Sequence, residues 1–279
     1  MVSQPDRPAG RKRRNTPTPV SEWAMAGSKT LLRPENVNDA DVVESIRGLA
    51  PEALVGIAFG QKIGEPLLEG LPAFNLHASL LPAYRGAAPI NRAMIDGCTE
   101  TGVSVIELAQ RMDAGAVHAT RTLAIDPLET AGELHDRLAE LGPDAVADVL
   151  DALAAGTASG ISQDESLVSQ APKLSRAESS VDFVDDAGRI RDRIHGLTPW
   201  PGCDIELDGQ RLRVLRVRVT QGSDEDVEPG TLLPDHRIAC GSGALELLEV
   251  QPIGKRPMPF KDYLNGRRLQ PGVVARRHG

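Results

Sequence analysis

Cysteine is scarce in this sequence, and no long apolar run interrupts it. Cys98, Cys203 and Cys240 lie far apart without Cys-x-x-Cys spacing, so neither a disulfide framework nor a cysteine zinc site is expected, and a reducing compartment fits. No uncharged apolar stretch approaches the roughly 20 residues that a membrane-spanning helix needs. The opening MVSQPDRPAGRKRR is basic but has no apolar run behind it, which argues against a secretory signal. Internal repeats are absent, as is low-complexity sequence apart from a stretch rich in Ser, Ala and Gln over 157–177. A soluble, cytoplasmic protein with no membrane partner is therefore expected.

What is present is an ordinary globular composition. The 279 residues are 41% hydrophobic and 25% charged, which allows two domains with cores of their own. The net charge of -8 argues against a general nucleic-acid binder, but it is unevenly placed. Residues 1–14 carry +4 and residues 255–279 carry +6, so the middle carries -18 of that total. Basic ends on an acidic body could contact phosphates locally. Charge alone favours the plainer alternative, two solvated tails.

Residues 37–50 have helical spacing at Val42, Val43, Ile46 and Leu49, with Asn38 as the expected cap and Pro51 as the stop. Short apolar runs over 53–59 and 73–78 read as buried strands. A short helix over 87–96 and strands over 102–108 and 116–125 follow, the last two separated by a turn holding Asp113-Ala114-Gly115. Thr130 and Glu133 form a capping-box pattern for a helix to Leu141, and Gly142-Pro143 is expected to break it before a second helix to about Ala155. Alternation of strand and helix implies a parallel sheet.

A linker or extended surface segment is expected over 158–177, dividing a first domain at 1–157 from a second at 178–279. The second begins with a helix over 187–197 and the turn Pro199-Trp200-Pro201-Gly202, then short strands over 205–207, 211–219, 230–233, 237–240 and 244–250. Such a series suggests a small antiparallel barrel. Within 211–218 the arginines change phase after Val214, which predicts a bulge.

Asn75 and His77 sit two apart at the end of a predicted strand, so they share a face where parallel sheets present ligands. Alone, an Asn-x-His is more often a satisfied polar pair. The stretch FNLHASLLPAYRGAAPI around them, with Asp113-Ala114-Gly115 further on, resembles the signature of the folate-dependent formyltransferases, and its RGAAPI ending resembles the methionyl-tRNA branch. QPDRPAGR, ETGVSVIEL, MDAG, KLSRAES and TPWPG resemble that branch in the same order, so the likeness covers nearly the whole chain.

The resemblance implies a doubly wound (Rossmann-like) α/β domain followed by a small antiparallel β-barrel of the oligonucleotide-binding type. It implies transfer of the formyl group of 10-formyltetrahydrofolate, a cosubstrate, to the α-amino group of initiator methionyl-tRNA, with no metal. Asn75, His77 and Asp113 match the family's catalytic trio. An amine attacking a formyl carbon on an aryl nitrogen builds an oxyanion. The Asn75 amide and a protonated His77 suit its stabilisation, while Asp113 suits orienting the imidazole and relaying protons to the departing nitrogen. The incoming amine needs little activation, since free α-amino groups titrate near 7.7 to 8.0.

Ser79, Leu80, Leu81 and Pro82 resemble the folate-binding loop, and Ile57, Phe59, Gln61 and Ile63 the pterin pocket, where Lys62 departs from the usual apolar residue. Gln4 to Arg14 resembles the loop that reads the acceptor end of the tRNA, making Arg7, Arg11, Lys12, Arg13 and Arg14 the expected contacts. The barrel arginines and the basic carboxyl terminus would extend a phosphate track.

One departure is large. Family members begin with a further strand, loop and helix, and this chain starts roughly at their second strand, so a doubly wound sheet lacking its first strand is expected. An internal start site is one explanation. The alternatives are a truncated, inactive tRNA-binding protein and a formyltransferase for a small-molecule amine. A monomer is expected.

Overall fold

The structure, a computed structural model, describes residues 1–9, 14–222, 227–265, 267 and 269–277. Its contacts divide the chain into two compact units, Met1–His77 with Ile106–Leu108, and Ala78–Val105 with Ala109–Gly279.

In the first unit β1 (Arg7–Ala9) pairs antiparallel with β2 (Arg14–Thr16). Helix α1 (Pro19–Ala26) starts at Thr18, whose hydroxyl accepts the Ser21 N–H, with Pro19 at the first helical position, where its missing donor costs nothing. Helix α2 (Ala40–Arg47) precedes β3 (Leu54–Ile57), α3 (Glu65–Leu68) and β4 (Ala73–His77). β3 and β4 are parallel, with Gly56 opposite Asn75 and Ile57 opposite Leu76. Leu108 N–H donates to Ala73 O at the other edge of β4. A small core of Val37, Ile46 and Leu67, with Leu54, Phe59 and Ile63 against it, holds the unit together.

The α2 start differs from the sequence expectation. Asp39 occupies the cap without a side-chain cap bond, because Asn38 is engaged elsewhere: its amide donates to Lys62 O at 2.9 Å and accepts from Gly64 N–H at 2.6 Å. On the described residues β3 is an edge strand, with Val55 and Ile57 37% and 60% exposed.

The second unit opens with β5 (Arg85–Gly86), α4 (Pro89–Ile95), β6 (Glu100–Glu107, whose last two residues belong to the first unit) and β7 (Val117–Ala124). β7 runs back beside β6, Ile125 N–H donating to Thr99 O just outside the strands. Helix α5 (Ala131–Ala154) packs on β7 and starts at the expected capping box, with Glu133 Oε2 accepting from Thr130 N–H at 2.8 Å.

Pro143 does not break α5. One helix of 24 residues runs through it. A proline inside a helix costs about 3 kcal/mol, but Leu134, Leu138, Gly142, Ala145 and Val149 form one buried stripe on both sides of it. Ending the helix there would expose its second half.

Beyond α5, β8 (Gln170–Ala171) lies parallel to β5. Helix α6 (Ala187–Gly196) packs on α4 and on an antiparallel sheet. That sheet is built from β9 (Cys203–Leu207), β10 (Gln210–Thr220), β11 (Arg237–Ala239), β12 (Ala244–Pro252), β13 (Met258–Pro259), a short helix α7 (Phe260–Asn265) beside it, and β14 (Arg276–Arg277). The order is β11-β12-β10-β9-β14, with β13 on β12. The predicted bulge is present: Val214 faces Val250 and Arg216 faces Glu249, leaving Leu215 without a partner in β12. Residues 230–233 make only isolated bridges at Thr231 and Leu232, not a strand. Leu197, Ile205, Leu212, Val217, Ile238 and Leu245 fill the interior.

Among the described residues, parts of both basic ends lie in paired strands. Arg7 of β1 and Arg14 of β2 lie in one antiparallel pair, and Arg276 of β14 pairs with Glu206 of β9.

His195 is buried on α6, and its Nε2 accepts the Val217 N–H at 3.0 Å. Burial, followed by the Arg216 and Arg191 charges, depresses its pKa to about 4. A histidine held neutral adds stability that is complete above its unfolded pKa near 6.5 and disappears as pH falls through about 4. That interval corresponds to roughly 3 kcal/mol. Urea titrations should show the wild type losing about that much more stability from pH 7 to pH 4 than His195→Gln loses; parallel pH curves would contradict the assignment.

Candidate active site

Asn75 and His77 belong to the first unit, at the carboxyl end of β4. The strand alternation turns Phe74 into the interior on one face and puts Asn75 and His77 on the other, with His77 6% exposed. Gly56 stands beside Asn75 on β3, and a Cβ there would lie 3.3 Å from Asn75 Oδ1. A side chain at Gly56 would therefore press on the carboxamide.

The end of β3 and the loop after it carry the expected pterin-pocket residues. Ile57 is exposed, whereas Phe59 and Ile63 lean on the small core. Gln61 is occupied with its own unit: Oε1 accepts Val37 N–H at 2.7 Å and Nε2 donates to Pro34 O at 3.3 Å. Gln4 Nε2 donates to Phe59 O at 2.6 Å, fixing the same loop from the amino-terminal side.

Of the expected tRNA contacts, Arg7 opens β1 and Arg14 opens β2, and Arg11, Lys12 and Arg13 lie outside the described residues. Arg7 pairs with Glu35 at 2.6 Å. Exposed pairs of this kind are worth at most about 1 kcal/mol, so such an arginine is readily exchanged onto a phosphate.

In the second unit the Ser79 to Pro82 loop is pinned from beneath. Ser79 is fully buried, its hydroxyl donates to Ala83 O at 2.6 Å, and its carbonyl accepts from Ser104 Oγ at 2.7 Å. Leu81 N–H donates to the same Ser104 hydroxyl at 3.1 Å. Leu80 and Pro82 are half-buried and Leu81 is buried. Ser79 thus shapes the loop, and the backbone and apolar side chains are what the loop can offer a ligand.

Asp113 also lies in the second unit, in the turn between β6 and β7. Its φ of 53° is left-handed, a conformation that costs an ordinary residue about 1 kcal/mol and Asp less than most. Its Oδ2 accepts the Gly86 N–H at 2.9 Å. Gly86 has φ 126°, and a Cβ there would meet Ala171 O at 2.6 Å, so only glycine allows β5 to approach β8 this closely.

Gln163, a residue absent from the sequence analysis, holds this turn and is gripped by Arg85 of the RGAAPI stretch. Gln163 Nε2 donates to Asp113 O and Gly115 O, both at 2.8 Å, and its Oε1 accepts from Arg85 Nε and Nη2 at 3.0 and 2.8 Å. The only trace of Gln163 in the sequence is the polar triplet Gln163-Asp164-Glu165 within a segment of mostly small residues.

A separate cavity of about 740 Å³ in the second unit is lined by Thr130, Glu133, Trp200, Arg213 and Arg216 among others, and by none of the expected site residues. Its charges are already matched. Arg216 pairs with Glu133 at 2.6 Å and holds that carboxyl down at about 2, and Arg213 pairs with Asp204 at 2.8 Å. Arg211 and Arg218 are likewise paired, with Asp204 and Glu246. Among the described residues no group of three or more His, Cys, Asp or Glu side chains could hold a metal ion, and no helix is long and apolar enough to cross a membrane.

The sequence matches the formyl transferase family over residues 1–150 and the formyl transferase C-terminal domain over residues 173–268. It is 40% identical to the methionyl-tRNA formyltransferase of Geotalea daltonii over 98% of this chain and 88% of that protein. The chain belongs to the methionyl-tRNA formyltransferase family. The enzyme of the same name from Geobacter sulfurreducens is 39% identical over 98% of this chain and 87% of that one.

Solved structures share the fold. The methionyl-tRNA formyltransferase from Clostridium thermocellum superposes with a TM-score of 0.53 at 18% identity, over 72% of this chain and 87% of that one. WlaRD, a sugar 3N-formyl transferase, gives 0.63 at 15% identity, over 85% and 82%. The formyltransferase architecture, a parallel sheet domain followed by a curled antiparallel sheet, is therefore that of this chain.

Proposed function

We propose that this chain transfers the formyl group of 10-formyltetrahydrofolate to the α-amino group of initiator methionyl-tRNA. The observation that carries the reading is the near-40% identity, sustained over 98% of the chain, to enzymes named for that activity. Folate as donor is supported by formyltransferase membership, and by a fold shared with WlaRD, solved in the presence of 5-N-formyltetrahydrofolate.

In this reading Asn75 and His77 donate hydrogen bonds to the oxyanion formed when the amine attacks the formyl carbon. Asp113 orients the imidazole and passes the amine's proton, through water, to the departing folate nitrogen. The bond formed is amine nitrogen to formyl carbon, the bond broken is that carbon to the folate nitrogen, and no electrons change hands. Ser79, Leu80, Leu81 and Pro82, with Ile57, Phe59, Gln61 and Ile63, form the folate-binding part. Arg7, Arg11, Lys12, Arg13 and Arg14 contact the acceptor end of the tRNA, where the guanidinium fork suits paired bonds to phosphate and base edges.

Purified protein given 10-formyltetrahydrofolate and charged initiator tRNA should produce formylmethionyl-tRNA. Transfer to a free amino sugar in preference to the tRNA would overturn the substrate assignment, and transfer to neither would overturn the activity.

A further inference from the structure

We infer that Gln163, gripped by Arg85, is the positioning residue that sets where the Asp113 carboxylate stands. The inference rests on the proposed role of Asp113 in formyl transfer, and extends it to two side chains outside the trio.

The Gln163 amide is fully used. Its two N–H donors go one each to Asp113 O and Gly115 O, at 2.8 Å, and its oxygen takes two bonds from Arg85. Spanning the carbonyls of residues 113 and 115, a single side chain clamps both ends of the turn. The clamp matters here because Asp113 is held at φ 53°, away from the regions an unclamped loop would populate.

Arg85 supplies the anchor. Its side chain is 5% exposed, and a buried guanidinium stays only where its donors are met. Besides Gln163 it reaches Glu165 Oε1 at 2.9 Å, while Glu165 Oε2 takes Arg111 at 2.6 Å, which returns the network to the segment just ahead of Asp113. Its backbone is fixed in turn, Arg85 N–H donating to Ser169 O at 2.9 Å.

The third point of the frame is Gly86, whose N–H meets the Asp113 carboxylate itself at 2.9 Å. Arg85 and Gly86 are neighbours in β5, so one short strand holds the carboxylate directly and the turn's backbone through Gln163. A carboxylate aimed from two directions is what orientation-sensitive proton transfer requires.

Gln163→Glu separates the two ends of this amide. The new carboxylate still satisfies Arg85, but it places an acceptor against Asp113 O and Gly115 O, where two donors stood. Measured on the full chain, the expected result is a modestly lower unfolding temperature from the two lost bonds, a displaced Gly86 backbone amide resonance, and kcat lower by about 10- to 100-fold, with both KM values within about twofold. A side chain that merely supports the fold would lower the unfolding temperature as well but leave the Gly86 resonance and kcat in place, and that outcome overturns the inference. If Gln163→Glu does not fold, Gln163→Met, of similar volume and without donors, is read in the same two ways. Should Asp113→Asn lose activity while a displaced Gly86 resonance in Gln163→Glu leaves kcat unchanged, the positioning role falls alone. If both variants keep full activity, it is the catalytic role of Asp113 that falls.

Discussion

His77→Ala is expected to lower the rate of formyl transfer by at least about 10², the amount typically lost when one oxyanion donor or one proton carrier is removed. The change should fall on kcat, because the imidazole is proposed to act on charge that develops only as the amine attacks, and interactions made only in the transition state do not help ground-state binding. Single-turnover measurements with excess enzyme isolate that step from release of the tRNA product. His77 is buried at the end of β4, so the variant must also be shown to unfold near the wild-type temperature; His77→Gln, which keeps a donor and most of the volume, provides that control. Unchanged single-turnover formylation in a folded His77→Ala protein would remove His77 from the mechanism.

The parts legible in the sequence were those where one local pattern dominates. The apolar run ending in Asn75 and His77 could be read as a strand because alternation and flanking breakers agree, and the structure has β4 at Ala73–His77. The Thr130 and Glu133 box needs only four residues, and both of its bonds form. The phase change after Val214 foretold the unpaired Leu215, because a strand cannot keep one face buried across such a shift.

What the sequence concealed depends on partners far along the chain. Pro143 reads locally as a helix breaker, yet the stripe from Leu134 to Val149 outweighs it. Asn38 reads as a cap until Lys62 and Gly64, more than 20 residues on, claim its amide. The segment holding Gln163 has the composition of a linker, and nothing local shows that Arg85, 78 residues earlier, binds it. Two-sided polar contacts of this kind leave no periodicity behind.

Asp113→Asn tests the carboxylate itself with the least disturbance of its turn. Asparagine tolerates a left-handed backbone at least as well as aspartate, so the φ of 53° is retained. Its amide oxygen can still accept the Gly86 N–H now bonded to Oδ2, and Gln163 bonds only to backbone carbonyls there, which the substitution leaves in place. What is lost is the negative charge and the ability to accept and return a proton. The proposed role predicts a fall in kcat of about 10² or more, an unfolding temperature near that of the wild type, and nearly unchanged KM for both substrates. The contrast with Gln163→Glu then becomes informative: one variant keeps the position and removes the charge, the other keeps the charge and moves the position. If Asp113 acts through its charge at a fixed place, both must lose turnover, and only Gln163→Glu must shift the Gly86 amide resonance strongly. An Asp113→Asn protein with wild-type turnover would mean that the residue serves the turn alone, since everything that the turn requires of it is preserved.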